Sequence, residues 1–324
     1  MAFLTRPSSD DPLAVIHAGD DASFDALDRE WVAGLYRDHG ALLFRGFPAD
    51  LDGFHRFAAR FCSTSVFNES PDRLLLRAEP NIQTVNGGGD PFPLHPELSR
   101  EPWKPDCCFF HCLVPAGQGG MTTICDGVAL VRALPADLVE ALARRRLVHI
   151  RPANPAVLRY WLGSEDPADA LLESPPVHVP YRFRRTSHGI VQIFIRPVLH
   201  RPMFTDALAF GNFLLFARDY LMLDRFPLLD DGTPFPDAWL NIIRATAKRL
   251  TVAVAWQAGD LLMLDNSRFM HGRTAIADPE RRLIASFFGY LDDAPVDPWE
   301  RDHAPWRRAH FRPPHAGPAQ GPGV

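Results

Sequence analysis

The stretch "PLHPELSREPWKPDCCFFHCLVPAGQGGMTTICDG" (residues 93–127) holds three features in close succession. His95 and Glu97 form a His-x-Glu pair. The run "CCFFHCLV" (107–114) is apolar at nearly every position and reads as a buried β-strand. Gly119, Gly120, Met121 and Thr122 make a Gly-Gly-x-Thr element. In an extended segment, positions i and i+2 point to the same face, so His95 and Glu97 can converge on one ion. Pro96 between them discourages helix and limits backbone freedom. A surface turn is the plainer alternative, because Pro91, Pro93 and Pro96 crowd the same segment.

Two later stretches bear on that choice. "QAGDLLMLDNSRFMHGR" (257–273) reads as a turn at Gly259 and Asp260, a short buried strand over 261–264, then a polar loop delivering His271. "RRLIASFFGYL" (281–291) reads as another strand, with Arg282, Ile284, Ser286 and Phe288 on one face. Two imidazoles and one carboxylate can occupy one face of an octahedral Fe(II) and leave open the positions that oxygen chemistry needs. The guanidinium of Arg282 is planar and suits a carboxylate, although a surface salt bridge is the alternative for it and for Arg281. A metal triad backed by a carboxylate-binding arginine suggests an oxygenase using a 2-oxo acid. Two rivals stand beside it. A zinc hydrolase would use the His-x-Glu and the distal His without needing Arg282, and a non-catalytic binding protein would keep only the fold.

The blocks at 93–127, 259–273 and 281–288 resemble the taurine dioxygenase (TauD/TfdA) and clavaminate synthase-like family of Fe(II)/2-oxoglutarate oxygenases. The likeness in organisation runs from about residue 13 to 293. The family pattern is His-x-(Asp/Glu), a Gly-Gly-x-Thr element, a distal His, and an Arg shortly after it. The resemblance implies that His95, Glu97 and His271 bind iron and are the catalytic centre. It implies that Arg282 and Thr122 hold the distal carboxylate of 2-oxoglutarate. Fe(II), 2-oxoglutarate and O2 are the implied cofactor and cosubstrates, and succinate and CO2 the coproducts. Glu97 fills the coordination position that halogenating members leave free, which favours hydroxylation over chlorination. Desaturation or cyclisation would need only a different geometry at the same iron. The implied substrate is a small amino-acid-like metabolite, free or tethered to a carrier protein, of the kind met in secondary metabolism.

Other clusters carry less. "CCFFHC" contains zinc-type residues, but neighbours on a strand point to opposite faces, and free cysteine packs well as a small hydrophobe. "NGGGDP" (86–91) lacks the Gly-Lys-Ser/Thr ending of a phosphate loop and reads as a flexible turn before His95. Arg273 faces substrate or pairs with an acidic neighbour. "RFRRTSH" (182–188) reads as a strand edge or lid loop, and Asp265 and Asn266 as residues that order the loop before His271.

The chain of 324 residues is 46% hydrophobic, enough for a large core, and its net charge of −5 gives no global attraction to nucleic acid. No apolar stretch approaches the roughly 20 residues that cross a membrane. Five unpatterned cysteines favour a reducing compartment, and the expected location is cytoplasmic. Helices are expected over 24–38, 50–62, from Pro135, over 205–222 and over 236–249, and a strand in "ALLFRGF" (41–47). Residues 151–187 look irregular. Many short strands with segregated helices argue for an α+β, mainly β fold: a double-stranded β-helix (jelly roll, cupin-like) decorated by helices. Residues 1–301 are expected to form one domain, with 151–201 a lid or insertion over the site. Residues 302–324 form a Pro- and Gly-rich tail. Homo-oligomerisation stays open.

Overall fold

The surroundings of "CCFFHCLV" explain why it is apolar along its length. The computed structural model describes residues 2–8, 11–19, 23–48, 50–79, 81–297, 300, 304–309 and 311–314. In it this run is the strand Cys107–Val114, set inside a nine-stranded sheet between Leu261–Asp265 and Leu283–Tyr290, both antiparallel to it. Alternate residues enter two different cores. Cys108, Phe110 and Cys112 belong to one, and Cys107 and Phe109 to the other. A strand covered on both faces has no solvent side, so polar alternation disappears. The same division splits the cysteines between opposite faces, and a shared zinc site is lost with it.

Helices cover the outer face of this sheet. Leu51–Ala59 starts at Asp50, whose side chain accepts from the Gly53 backbone, and it buries Phe54 and Phe57 against Phe44 and Phe109. The helix expected over 24–38 is two elements. Phe24–Ala26 is a single 3-10 turn, and Asp28 then caps a new helix, Arg29–His39, by accepting from the Trp31 backbone. A capping aspartate fixes a helix start more firmly than apolar spacing does.

The inner face meets a four-stranded sheet in the order Val252–Val254, Thr122–Asp126, Phe269–Arg273, Phe92–His95. Ile124, Val254 and Phe269 from this sheet share a core with Phe110, Leu262 and Phe288 from the larger one. Beneath its far side, Cys125 and Met270 pack with the helices Gly127–Ala133, Ala136–Ala143 and Asp237–Leu250. Two sheets packed face to face with helices outside match the mixed, mostly-sheet architecture expected.

The irregular reading of 151–187 is corrected. Arg182–Thr186, Gly189–Pro197, Arg146–Pro152 and Leu228–Leu229 form a separate antiparallel sheet, accompanied by the helices Pro155–Leu162 and Asp169–Glu173. Asn154 caps the first helix through the Val157 backbone, Pro155 opens it, and Gly163 closes it at a φ of 73°. The helix expected over 205–222 shrinks to Leu214–Asp219, because Ala209–Phe210 pairs with Leu199–His200 and the Asn212 side chain accepts from the Leu214 backbone. Towards the C-terminus Trp306 is buried, and Arg307 donates to Asp106 and Glu300. That docking involves the start of the segment read as a tail; residues 315–324 lie outside the described residues. Among the described residues, no helix is long and apolar enough to cross a membrane.

Candidate metal centre

The smaller sheet brings the two histidines together. Phe269–Arg273 pairs antiparallel with Phe92–His95 so that His271 lies opposite His95, and their ring centroids are 4.7 Å apart. His271 therefore sits on a strand, not on the expected loop; its segment gains a hydrogen-bonded neighbour on each side, Thr122–Asp126 being the other. Glu97 follows just beyond the end of its strand. The ligand-type atoms of His95, Glu97 and His271 all lie within 4.8 Å of one another. Cis ligands bound at about 2.1 Å to an octahedral ion stand about 3 Å apart, so small side-chain adjustments close the set.

Proton placement suits a metal. The His95 Nδ1 lies 2.9 Å from the Pro93 carbonyl, which only accepts, so the ring proton belongs there and Nε2 keeps its lone pair. Burial, then the neighbouring His271, pushes His95 down to about 4, leaving a neutral imidazole near neutral pH. For Glu97, burial alone would raise the pKa. The Arg73 guanidinium and the hydrogen bond with His271 outweigh it and hold the carboxyl below the usual range.

Glu97 is held by residues that the sequence did not single out. Asn68 Nδ2 donates to Oε1 at 2.6 Å, and Arg73 Nη2 donates to Oε2 at 3.1 Å. Arg73 also donates to Asn86 and Ser286, and its guanidinium stands 5.0 Å from the Phe288 ring centroid. Gln83 ties this set together, exchanging two hydrogen bonds with the Asn68 backbone and accepting from Ser286 Oγ through its own carbonyl. Asn266 fixes the Glu97 backbone from the other side. Its Oδ1 accepts from the Glu97 amide at 2.7 Å, and its Nδ2 donates to the carbonyls of Glu97 and Pro105. Asp265 orders the turn locally, as expected, whereas Asn266 makes a long-range tie. Asn266→Ala would strand buried backbone groups and is expected to cost about 2–3 kcal/mol in urea unfolding.

The Gly-Gly-x-Thr element brings Arg282 close. Gly119 and Gly120 have φ of 73° and 65°, and a Cβ on Gly119 would stand 1.9 Å from the Ala275 carbonyl oxygen. Side chains are excluded on both counts. Arg282 Nε donates to the Gly120 carbonyl at 3.1 Å, and no carboxylate partner for it exists among the described residues. Burial, then Arg273, lowers Arg282 to about 10, so it stays charged near neutral pH. Two residues past Gly120, Thr122 Oγ1 accepts from Trp256 Nε1 at 3.0 Å, which leaves its own hydroxyl proton for an acceptor. A half-buried cation on the Gly120 carbonyl and a hydroxyl donor two residues further along suit a carboxylate.

Arg273 makes no side-chain ion pair with an acidic neighbour among the described residues. It donates to the carbonyls of Asn86 and Asp90 at 2.6 Å each and stands over Phe92, clamping the glycine-rich turn.

The chain is similar to known proteins over most of its length. A family model described as taurine catabolism dioxygenase TauD, TfdA family matches residues 9–286. A clavaminate synthase-like protein of Arabidopsis thaliana is 24% identical over 315 residues, covering 88% of this chain and 92% of that protein. Gamma-butyrobetaine dioxygenase of Pseudomonas sp. (strain AK-1) is 25% identical over 252 residues, 77% of this chain and 55% of that protein. Among solved structures, PvcB of Pseudomonas aeruginosa superposes with a TM-score of 0.60 at 17% identity, covering 92% of this chain and 94% of that one. A taurine dioxygenase from Burkholderia xenovorans gives 0.60 at 16% identity, covering 93% and 92%.

Proposed function

The chain belongs to the TauD, TfdA family of dioxygenases, an Fe(II)- and 2-oxoglutarate-dependent oxygenase family, and on that premise we propose that it hydroxylates an unactivated C–H bond of a small amino-acid-like metabolite, releasing succinate and CO2. The observation that carries the reading is the convergence of His95, Glu97 and His271 in a chain whose half-buried Arg282 has no carboxylate partner among the described residues. His95 and His271 would offer imidazole nitrogens and Glu97 a carboxylate, the set that suits non-haem Fe(II). Bound iron supplies the activation of O2, coupled to oxidative decarboxylation of 2-oxoglutarate.

The remaining work falls to the protein's residues. Arg282 and Thr122 would hold the distal carboxylate of 2-oxoglutarate, one by charge and one by hydroxyl. Arg73 and Asn68 keep Glu97 ionised and aimed, so that neither oxygen swings away from the metal. Phe110, 5.1 Å from His271 between ring centroids, and Phe288 form an apolar wall that excludes water.

An anaerobic titration with Fe(II) and 2-oxoglutarate tests the reading. A weak visible charge-transfer band is expected, followed by succinate release when O2 is admitted with substrate. Absence of the band at saturating iron and 2-oxoglutarate would sink it.

A further inference from the structure

The loop that bears Glu97 runs on into Ser99, Arg100 and Glu101 beneath the sheet formed by Arg146–Pro152 and Gly189–Pro197. Its arginines are unequally paired. Arg151 grips Glu101 with two bonds of 2.6 Å, Tyr181 donates to the same carboxylate, and Arg196 pairs with Asp297. Arg100 is left over. Its Nε lies 3.5 Å from Glu101 Oε1, an oxygen that Arg151 already holds, and its guanidinium rests 4.9 Å from the Phe213 ring centroid. Among the described residues, Arg100 has no carboxylate to itself. The Arg100 side chain is 31% exposed, so a cation that shares its carboxylate with Arg151 stays within reach of an incoming anion.

Hydrogen-bonding capacity is also unspent. His149 and Arg151 share one face of their strand by period-two alternation, opposite Phe194 and Gln192. Arg151 reaches Glu101, so this face looks onto the loop. On it, His149 Nδ1 and Gln192 Oε1 have no partner, in residues only 1% and 3% exposed, and Ser99 Oγ on the loop has none either. Buried polar atoms in native proteins are nearly always bonded, and several orphans around one surplus cation mark a place where a polar ligand belongs. An aromatic wall leads from there to the metal centre: Phe213 lies 5.3 Å from Phe216, and Phe216 lies 4.7 Å from His95, between ring centroids.

We infer that the surface around Arg100 receives the substrate, and that the substrate is a free amino acid whose carboxylate is taken by Arg100. Ser99 Oγ and His149 Nδ1 supply further donors to that carboxylate, and Gln192 Oε1 accepts from the ammonium. The rest of the molecule lies along Phe213 and Phe216 toward His95. The inference rests on the oxygenase reading above and names the part of the protein that selects its substrate.

The test uses the full chain loaded anaerobically with Fe(II) and 2-oxoglutarate. Its charge-transfer band is recorded first. The sample is then titrated with the twenty proteinogenic L-amino acids, with their α-carboxamides, and with the same amino acids as pantetheine thioesters. At least one free acid is expected to perturb the band and drive succinate release on admission of O2. Its carboxamide should bind about 10- to 100-fold more weakly. Arg100→Gln should erase that preference while leaving the Fe(II)/2-oxoglutarate band intact, and Arg100→Lys should restore part of it. Equal binding of acid and amide, an undiminished preference in Arg100→Gln, a response to thioesters alone, or no response to any free acid would each overturn the inference. Loss of the band in the wild-type protein would instead mean that the oxygenase reading has failed, and this one with it.

Discussion

His271→Ala is expected to abolish the Fe(II)/2-oxoglutarate band and to lower turnover by well over about 100-fold, since losing even an outer partner of a metal ligand costs 10–100-fold. The site offers no substitute donor: among the described residues, His95, Glu97 and His271 alone are grouped closely enough to hold a metal ion. Only two would remain. The fold should tolerate the change, because the lost ring packs chiefly against Phe110 and His95 and leaves no buried charge behind. Glu97→Ala makes the informative contrast. It removes the same metal but also leaves Arg73, whose side chain is 6% exposed, without its carboxylate. That variant should lose about 3–5 kcal/mol of stability besides its activity. Urea melts run beside iron titrations separate the two. A His271→Ala protein that still binds iron and 2-oxoglutarate normally would remove this residue from the proposed ligand set.

Arg282→Met is expected to move two measurements in opposite directions. Affinity for 2-oxoglutarate should fall by about 30- to 100-fold, the worth of a charge-assisted grip on a carboxylate. Stability of the protein without its cosubstrate should hold or rise. The guanidinium is half-buried, repelled by Arg273, and bonded among the described residues only to the Gly120 carbonyl, so replacing it with an apolar side chain relieves a partly desolvated charge. A purely structural arginine would lose stability and leave cosubstrate affinity alone. Thermal unfolding with and without 2-oxoglutarate distinguishes the cases.

Legibility in the sequence followed the range over which each signal acts. His95 with Glu97 was readable from two nearby positions, and the strand at 107–114 from its composition, because both are local. Asn68, Arg73 and Gln83 were not. They lie in short irregular segments with no periodicity, and the pairings of Thr64–Ser65 and Ile82–Thr84 with Leu283–Tyr290 carry them to Glu97. His271 was placed on a loop because strand character in Phe269–Arg273 comes from its neighbours on both sides, which are distant in sequence. By contrast, the helix Pro155–Leu162 was announced by Asn154, Pro155 and Gly163, and Pro- and Arg-rich composition obscured it.

The five cysteines have a practical consequence. Every one is buried, and they are shared among all three hydrophobic cores. Burial raises each thiol, Cys112 and Cys125 to about 12, so thiolate is scarce near neutral pH. An alkylating reagent should therefore ignore the native protein and modify each position only when its own layer opens. Pulse labelling read by mass spectrometry would then act as an internal stopwatch. Simultaneous modification of all five would show both sheets and their helices opening as one cooperative unit, and earlier labelling of Cys125 would show the smaller sheet parting first.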